Sequence, residues 1–430
     1  MRIARRPWHE ELEIVDRTMK AISGVSDPED LVEVYWRNIG ELVRIDDYVS
    51  LSRRGVQPPN YLVTRSSRFT EDINPWTQRD RLPLLSGGVL GELAYANRPV
   101  VIEDLPATLR DNDPGRFYLD GFASAVALPT YDRGEGLNVT VLLLPPGVEL
   151  DRSFLPMLHW QSGLFGRGTH NLVLRNQLAA ALAALDRELQ AVGDIQRSLL
   201  PQELPRIPGF GVAASYRTSA RAGGDYYDFF PLDGGAWGLF IADVSGHGTP
   251  AAVLMAVTHA IAHAKPGTHA PPPALLTYLN RRLTDSYTRG GTFVTAFYAV
   301  LDPHRRTLTY SAAGHNPPRL VRRGRVLPLN EAGALPLGID EDVPFGEAAV
   351  PLEAGDLLLL YTDGVTEAMA PQRPGSPREL FGVGRLDRLL VDCGGTRPAG
   401  CIDRVQAELN AFTDNAPPTD DQTLIAIRCD

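Results

Sequence analysis

Four times in this chain an aspartate stands at a turn beside an apolar, strand-like run, and that recurrence limits what the chain can be. AGGDYYDFF (222–230) places Asp225 after two glycines, and FIADVSGHG (240–248) puts Asp243 at the end of an apolar run. LLLLYTDGVTEA (357–368) ends a strand-like segment at Asp363, and PPTDDQTLIAIR (417–428) sets Asp420 and Asp421 before the last one. A lone Asp-Gly serves the hydrogen bonding of a turn. Carboxylates gathered from four strand–turn junctions are instead a donor set for a hard divalent cation, Mg²⁺ or Mn²⁺, which takes oxygen ligands from several elements.

The 430 residues allow two or three domains, and 43% hydrophobic content supplies real cores. A net charge of −10 argues against a nucleic-acid partner, which calls for a basic face. Cys393, Cys401 and Cys429 form no CxxC pair, which fits the cytoplasm and excludes a thiolate zinc site. The sequence has no unbroken apolar run long enough for a membrane span. The N-terminal MRIARRPWHEELEIVD lacks the apolar core of a signal peptide.

Residues 10–165 mix helix and strand signals. Two helices are expected up to GELV, the second beginning after Ser26-Asp27-Pro28. RPVVIEDL, SAVALPTY and NVTVLLLP read as strands. Over 171–200 the chain turns proline-free and rich in Leu and Ala. Leu174, Leu178, Leu182, Leu185, Leu189, Val192 and Leu199 recur at near-helical spacing, broken at Gln196, and predict a coiled-coil linker that pairs with a second copy, the alternative being a seam that packs on its own domain. Gln196, as a polar residue on that seam, is expected to weaken the pairing there. LPQELPRIPGFG (200–211) ends the helix, and a second globular domain follows. Its strands are expected at 236–242, 292–301, 307–312, 317–322 and 356–361, with helices at 249–264, 272–288 and within 394–413. Helices in blocks beside mixed strands indicate an α+β layered sandwich. His259 and His263 stand four apart on a helix, a spacing that can hold a metal. HAIAHA lacks the glutamate of such motifs, so a packing or surface role is expected, and His315 in AAGHNPP is expected to stabilise a turn.

GGDYYD, ADVSGHG, FVTAFYAVLD, YSAAGHNPP, LLLYTDGVTEA and DDQTLIAIR occur in that order. As an ensemble across 203–430 they resemble the metal-dependent serine/threonine phosphatases (PPM family) of the SpoIIE-like branch. IQRSLLPQELPRIPGF looks like the lead-in that such domains carry after a coiled coil. RPVVIEDLPA, then GFASAVALPTY and a strand, resemble a GAF domain over 10–165. The resemblance implies a C-terminal αββα sandwich preceded by an α/β GAF-like sensor domain and a helical linker. It implies two divalent cations, Mn²⁺ or Mg²⁺, that activate a water for in-line attack on phosphorus. Asp225 and Asp243 would be ligands central to catalysis, Asp243 bridging the ions with the Val244 carbonyl beside it. Asp363 and Asp420 would complete one metal's shell. Asp421 stands where the family has a polar neighbour, and Asp228 is either a further ligand or a support for its loop. Arg221 is placed to clamp phosphate through its guanidinium fork. Related eukaryotic enzymes carry a general-acid histidine two residues after the bridging aspartate. Here Ser245 holds that position, leaving His247 or metal-bound water as the donor.

The implied substrate is a phosphorylated STAS-type anti-sigma-factor antagonist. The alternatives are a catalytically silent scaffold of the same fold and a hydrolase of small phosphoesters. The GAF-like domain would bind an unidentified ligand. A thiolate-held cofactor is excluded there, since 1–165 has no cysteine, while haem held by histidine stays open.

Overall fold

The computed structural model describes residues 7–42, 46–148, 151–266, 271–288, 290–372 and 378–430. The chain divides into two compact units, Met1–Ala183 and Ala184–Asp430.

The first unit holds α1 (Trp8–Ser23), α2 (Pro28–Leu42), β1 (Tyr48–Ser52), β2 (Asn60–Ser66), β3 (Leu84–Ser86), α3 (Gly88–Tyr95), β4 (Val100–Ile102), α4 (Leu105–Thr108), α5 (Arg116–Leu119), β5 (Ser124–Asp132) and β6 (Glu135–Leu144). Its antiparallel sheet runs β3-β2-β1-β6-β5-β4. Side chains alternate across the pleat. Val139, Val141 and Leu143 therefore pack with Leu90 and Leu93 of α3, while Leu142 and Leu144 meet Leu158 on the other face.

Leu158 belongs to α6 (Leu155–Leu199), a 45-residue helix within which the division between the units falls. It begins well before the expected 171. Gly163, Gly166 and Gly168 hid its first turns in the sequence, since glycine disfavours helix interiors. The structure gives Gly166 a packing role: a Cβ there would overlap the Thr130 side chain of β5.

The second unit follows with β7 (Phe210–Arg217), β8 (Tyr226–Pro231), β9 (Trp237–Val244), α7 (Thr249–His263), α8 (Pro272–Ser286), β10 (Val294–Asp302), β11 (Thr307–Ala313), β12 (Arg319–Arg322), β13 (Arg325–Pro328), β14 (Gly333–Ala334), β15 (Ala348–Pro351), β16 (Leu357–Tyr361), α9 (Asp363–Thr366), α10 (Gly382–Cys393), α11 (Pro398–Phe412) and β17 (Gln422–Cys429). One sheet runs β14-β11-β10-β9-β8 with β15 on β11, and the other runs β13-β12-β16-β17-β7. The all-apolar run LLLLY of β16 has its cause in layering. Leu358 and Leu360 join Phe240, Tyr298, Ile425 and Ile427 in the core that includes both sheets, α7 and α8. Leu357, Leu359 and Tyr361 face outward against Leu386, Leu390, Val405 and Leu409 of α10 and α11. A strand buried on both faces reads as continuous hydrophobicity. This is an α–β–β–α sandwich. Among the described residues, no helix is long and apolar enough to cross a membrane.

Candidate metal centre

Antiparallel pairing brings the aspartates to one edge of the sandwich. In the first sheet Tyr226 pairs with Ala242, so Asp225 and Asp243 lie together one residue further on. In the second, Tyr361 pairs with Leu424, which sets Asp363 near Asp420 and Asp421. The two sheets are joined at Asp225, which is 1% exposed. Its Oδ2 accepts hydrogen bonds from Thr362 Oγ1 at 2.7 Å and Thr423 Oγ1 at 2.6 Å, both from the opposite sheet's end.

The electrostatics are those of crowded, desolvated acids. Burial pushes the Asp225 carboxyl above the ordinary aspartate range, the Thr423 and Thr362 hydroxyls pull it back, and Asp421 and Asp363 push it up again. Asp243 is raised by burial and then by Asp225, Asp363 and Asp420. Asp363 is pushed up to about 6 by burial and then by Asp420 and Glu367. Burial also raises Asp420, while His247 nearby lowers it. One buried and three half-buried carboxylates that raise one another's pKa call for a counter-charge, and an all-oxygen donor set suits Mg²⁺ or Mn²⁺. The four do not make one tight knot. Among the described residues, the set of three or more metal-ligating side chains whose donor atoms all lie within 4.8 Å is another one, Asp228, His259 and His263.

The turn 219–224 that presents Asp225 is clamped from two directions. Asp421 accepts from Ser219 N at 2.8 Å, Ser219 Oγ at 3.1 Å and Gly224 N at 2.6 Å. Its carboxylate is occupied as a bracket for this turn. The two glycines of GGD are required by close approach: a Cβ at Gly223 would overlap the Asp421 carboxylate, and one at Gly224 would press on Val244 O at 3.0 Å. The second clamp is α6. Gln196 Oε1 accepts from Gly223 N at 2.9 Å, and Gln196 Nε2 donates to Gly223 O at 3.0 Å and Tyr216 Oη at 2.6 Å. Gln196 is 3% exposed. It is therefore no weak point of an exposed seam, because its helix face is turned onto its own domain. Gly193, one turn earlier, leaves room for the Arg221 carbonyl.

Arg221 does not reach toward the aspartates. Its guanidinium takes Asp186 of α6 through Nε at 3.0 Å and Nη2 at 3.1 Å, and Nη1 donates to Gln190 Oε1 at 3.3 Å. Asp228 also lies apart from Asp225. Asp225 immediately precedes β8, whereas Asp228 lies within it. Asp228 accepts from Tyr226 Oη at 2.5 Å and Phe229 N at 2.7 Å, and pairs with His263 Nε2 at 2.7 Å. The rings of His259 and His263 stand 4.3 Å apart beside it. Burial, and then His263, lower the His259 pKa.

Ser245, at the position of the missing general acid, is structural. Its N donates to Phe293 O and its Oγ accepts from Phe293 N, each at 2.9 Å. His247 is exposed in the turn that follows, and Val244 is buried beside Asp243. His315 is 7% exposed with Nδ1 2.9 Å from Thr295 Oγ1, and burial lowers its pKa to about 4. Sequence reasoning missed Thr362, Thr423 and Gln196. The threonines carried a readable signal: each is a β-branched hydroxyl within two residues of an aspartate at a strand end.

Over residues 233–430 the chain matches the model of the family described as Stage II sporulation protein E (SpoIIE). It is 32% identical over 181 residues to the phosphoserine phosphatase RsbU of Bacillus subtilis (strain 168), covering 42% of this chain and 53% of that protein. It is 27% identical over 187 residues to the phosphoserine phosphatase RsbP of the same organism, covering 43% of this chain and 46% of that one. The chain thus spans about half the length of these relatives. The solved SiaA-PP2C domain of Pseudomonas aeruginosa aligns with a TM-score of 0.51 at 22% identity, covering 59% of this chain and 100% of that one. This likeness identifies the sandwich as a PP2C-type fold.

Proposed function

We propose that this chain, which matches the SpoIIE family model over residues 233–430, is a divalent-cation-dependent protein serine/threonine phosphatase of the cytoplasm. The observation that carries the reading is the convergence on Asp225, where two threonines of one sheet fix a buried carboxylate of the other beside three further aspartates. Asp225, Asp243, Asp363 and Asp420, with the Val244 carbonyl, would hold two cations, Mn²⁺ or Mg²⁺. Bound there, such ions supply an activated water and offset the charge on the phosphoryl oxygens. The chain's own part is to hold the acids in place. Thr362 and Thr423 occupy one oxygen of Asp225, and neither takes the other. Asp421 and Gln196 fix the turn that carries it. Ser245 anchors the turn after Asp243 to the start of β10.

The proposed substrate is a phosphorylated serine or threonine, supported by the relatives named as phosphoserine phosphatases, and its proposed carrier is a STAS-type protein. The first unit is read as a GAF-like sensor. A cavity of about 550 Å³ whose lining includes Tyr35, Trp36, Arg54, Thr130 and His170 supports that reading, with room for a small ligand. Leu178, Leu182 and Leu185 on α6 are 61%, 57% and 51% exposed, an apolar stripe suited to pairing with the same helix of a second copy.

The test is release of phosphate by the full chain from a phosphorylated STAS protein and from a small aryl phosphate, each with and without Mn²⁺. Mn²⁺-dependent release from the phosphoprotein, lost in Asp243→Asn, is expected. Release from the aryl phosphate alone makes the chain a small-phosphoester hydrolase, and no release from either makes it a silent scaffold. Near-wild-type turnover in Asp243→Asn removes the role given to that aspartate.

A further inference from the structure

We propose that Asp228, His259 and His263 form a second metal site, distinct from the four-aspartate centre and selective for a borderline transition metal such as Zn²⁺. The donor atoms are already assembled. Asp228 Oδ2 lies 2.7 Å from His263 Nε2 and 3.8 Å from His259 Nδ1, and the three donors lie within 4.8 Å of one another. Imidazole and carboxylate donors bind Zn²⁺ at about 2.0–2.2 Å in a tetrahedron. The i,i+4 spacing places both imidazoles on one face of α7.

The set is also built in ways that an incidental pair is not. The carboxylate is held on both oxygens: Tyr226 Oη, on a fully buried side chain, donates to Oδ2 and also lies 3.1 Å from His259 Nδ1, and Phe229 N donates to Oδ1. Outer hydrogen bonds of this kind orient metal-ligating carboxylates. Access is one-sided. The side chains of Asp228 and His259 are 10% and 21% exposed, whereas that of His263 is 48% exposed. The open side leaves a fourth position to water. The chemistry separates this site from the aspartate ring: two nitrogens and one oxygen favour Zn²⁺, Co²⁺ or Ni²⁺, while Mg²⁺ prefers oxygen and keeps its waters. An ion here would cross-link α7 to β8. Asp228 lies three residues beyond Asp225, and α7 begins six residues after Asp243, so the bond would stiffen the scaffold behind both ligand turns.

The experiment is titration of the metal-stripped full chain with Zn²⁺, and with Co²⁺ as a coloured probe, in excess Mg²⁺ to occupy the aspartate ring. One equivalent of Zn²⁺ is expected to bind, to raise the melting temperature, and to persist in Asp243→Asn. With Co²⁺ the intense visible bands of a tetrahedral site containing imidazole are expected. His263→Gln and His259→Ala should each weaken binding by about tenfold or more, and Tyr226→Phe by about tenfold through loss of the orienting hydrogen bond. Zinc-edge X-ray absorption on the wild-type chain gives a readout independent of any variant, and two imidazoles are expected. Zn²⁺ affinity that is unchanged in both histidine variants, or a zinc environment without imidazole, overturns the site and leaves a metal-free Asp–His pair.

Discussion

Replacing Gln196 with leucine tests the idea that the linker helix sets the position of a catalytic carboxylate. The side chain is buried and makes three hydrogen bonds, two of them to the backbone of Gly223, two residues before Asp225. Leucine has similar bulk but leaves the Gly223 N–H and C=O buried without these partners. Each orphaned group costs roughly 1–3 kcal/mol, so the closed turn is disfavoured by roughly 2–6 kcal/mol before any relaxation. The turn escapes most of that by opening to water, which withdraws Asp225 from the acidic ring. Cation binding must then close it again. Even about 2 kcal/mol of closing energy weakens apparent Mn²⁺ affinity by about 30-fold.

The assay is the Mn²⁺ dependence of phosphoprotein turnover by the full chain, fitted for the half-activating concentration. Gln196→Leu should raise it by about tenfold or more, with turnover recovering at saturating Mn²⁺. Gln196→Glu keeps an acceptor for Gly223 N and should fall between. Ile195→Ala, at a neighbour that is 65% exposed, is the control. A half-activating concentration in Gln196→Leu equal to that of wild type would refute the reasoning, because the turn would then hold Asp225 without the helix.

Other outcomes can be checked with the same protein. His247→Ala should lower turnover far less than the roughly 10²–10⁴-fold expected for a general acid, and a loss in that range with unchanged Mn²⁺ dependence makes His247 the donor. Leu185→Glu with Leu189→Glu should give monomers by size exclusion with light scattering and should alter full-chain activity; a double variant that stays dimeric removes the pairing role of α6. His315 sets a pH window. Its folded-state pKa lies below the ordinary 6.5, at about 4, so the unfolded chain takes up a proton first as pH falls. Stability from this group is complete above pH 6.5 and is lost between there and about 4, by at most about 3 kcal/mol. Denaturant titrations should show a shallower decline over that window in His315→Asn.

The acidic ring was legible because each aspartate announces itself locally, Asp243 and Asp363 at the end of an apolar run, Asp225 after two glycines, and Asp420 beside a second acid just before the last strand. The layered fold was legible because helices come in blocks beside mixed strands, and the structure gives LLLLY and TLIAI their cause in burial on both faces. What stayed hidden depended on partners distant in sequence. The expectation for His259 and His263 rested on HAIAHA alone, while the carboxylate they face, Asp228, comes from a strand more than thirty residues earlier. Arg221 looked like a phosphate clamp because its partner Asp186 lies on α6, 35 residues away. Gln196 was assigned to the seam because periodicity gives no account of which side of a helix docks on its own domain. For Asp228 the sequence left a ligand and a loop support both open, and its partners His263 and Tyr226 decide only in the folded chain.

The threonine bonds across to Asp225 make the acidic ring a gauge of how the two sheets are aligned. Thr362 and Thr423 belong to one layer and Asp225 to the other, so any sliding of one layer on the other displaces ligand from ligand. Misplacement by about 1 Å at a reacting centre can lower a rate by about 10²-fold. Core residues far from the cations, such as Phe240, Tyr298 and Ile427, thereby become determinants of turnover. A screen for loss of activity in this domain should return well-folded variants with altered inter-sheet packing alongside those that change an aspartate, and the two classes will separate by hydrogen exchange at the start of β17.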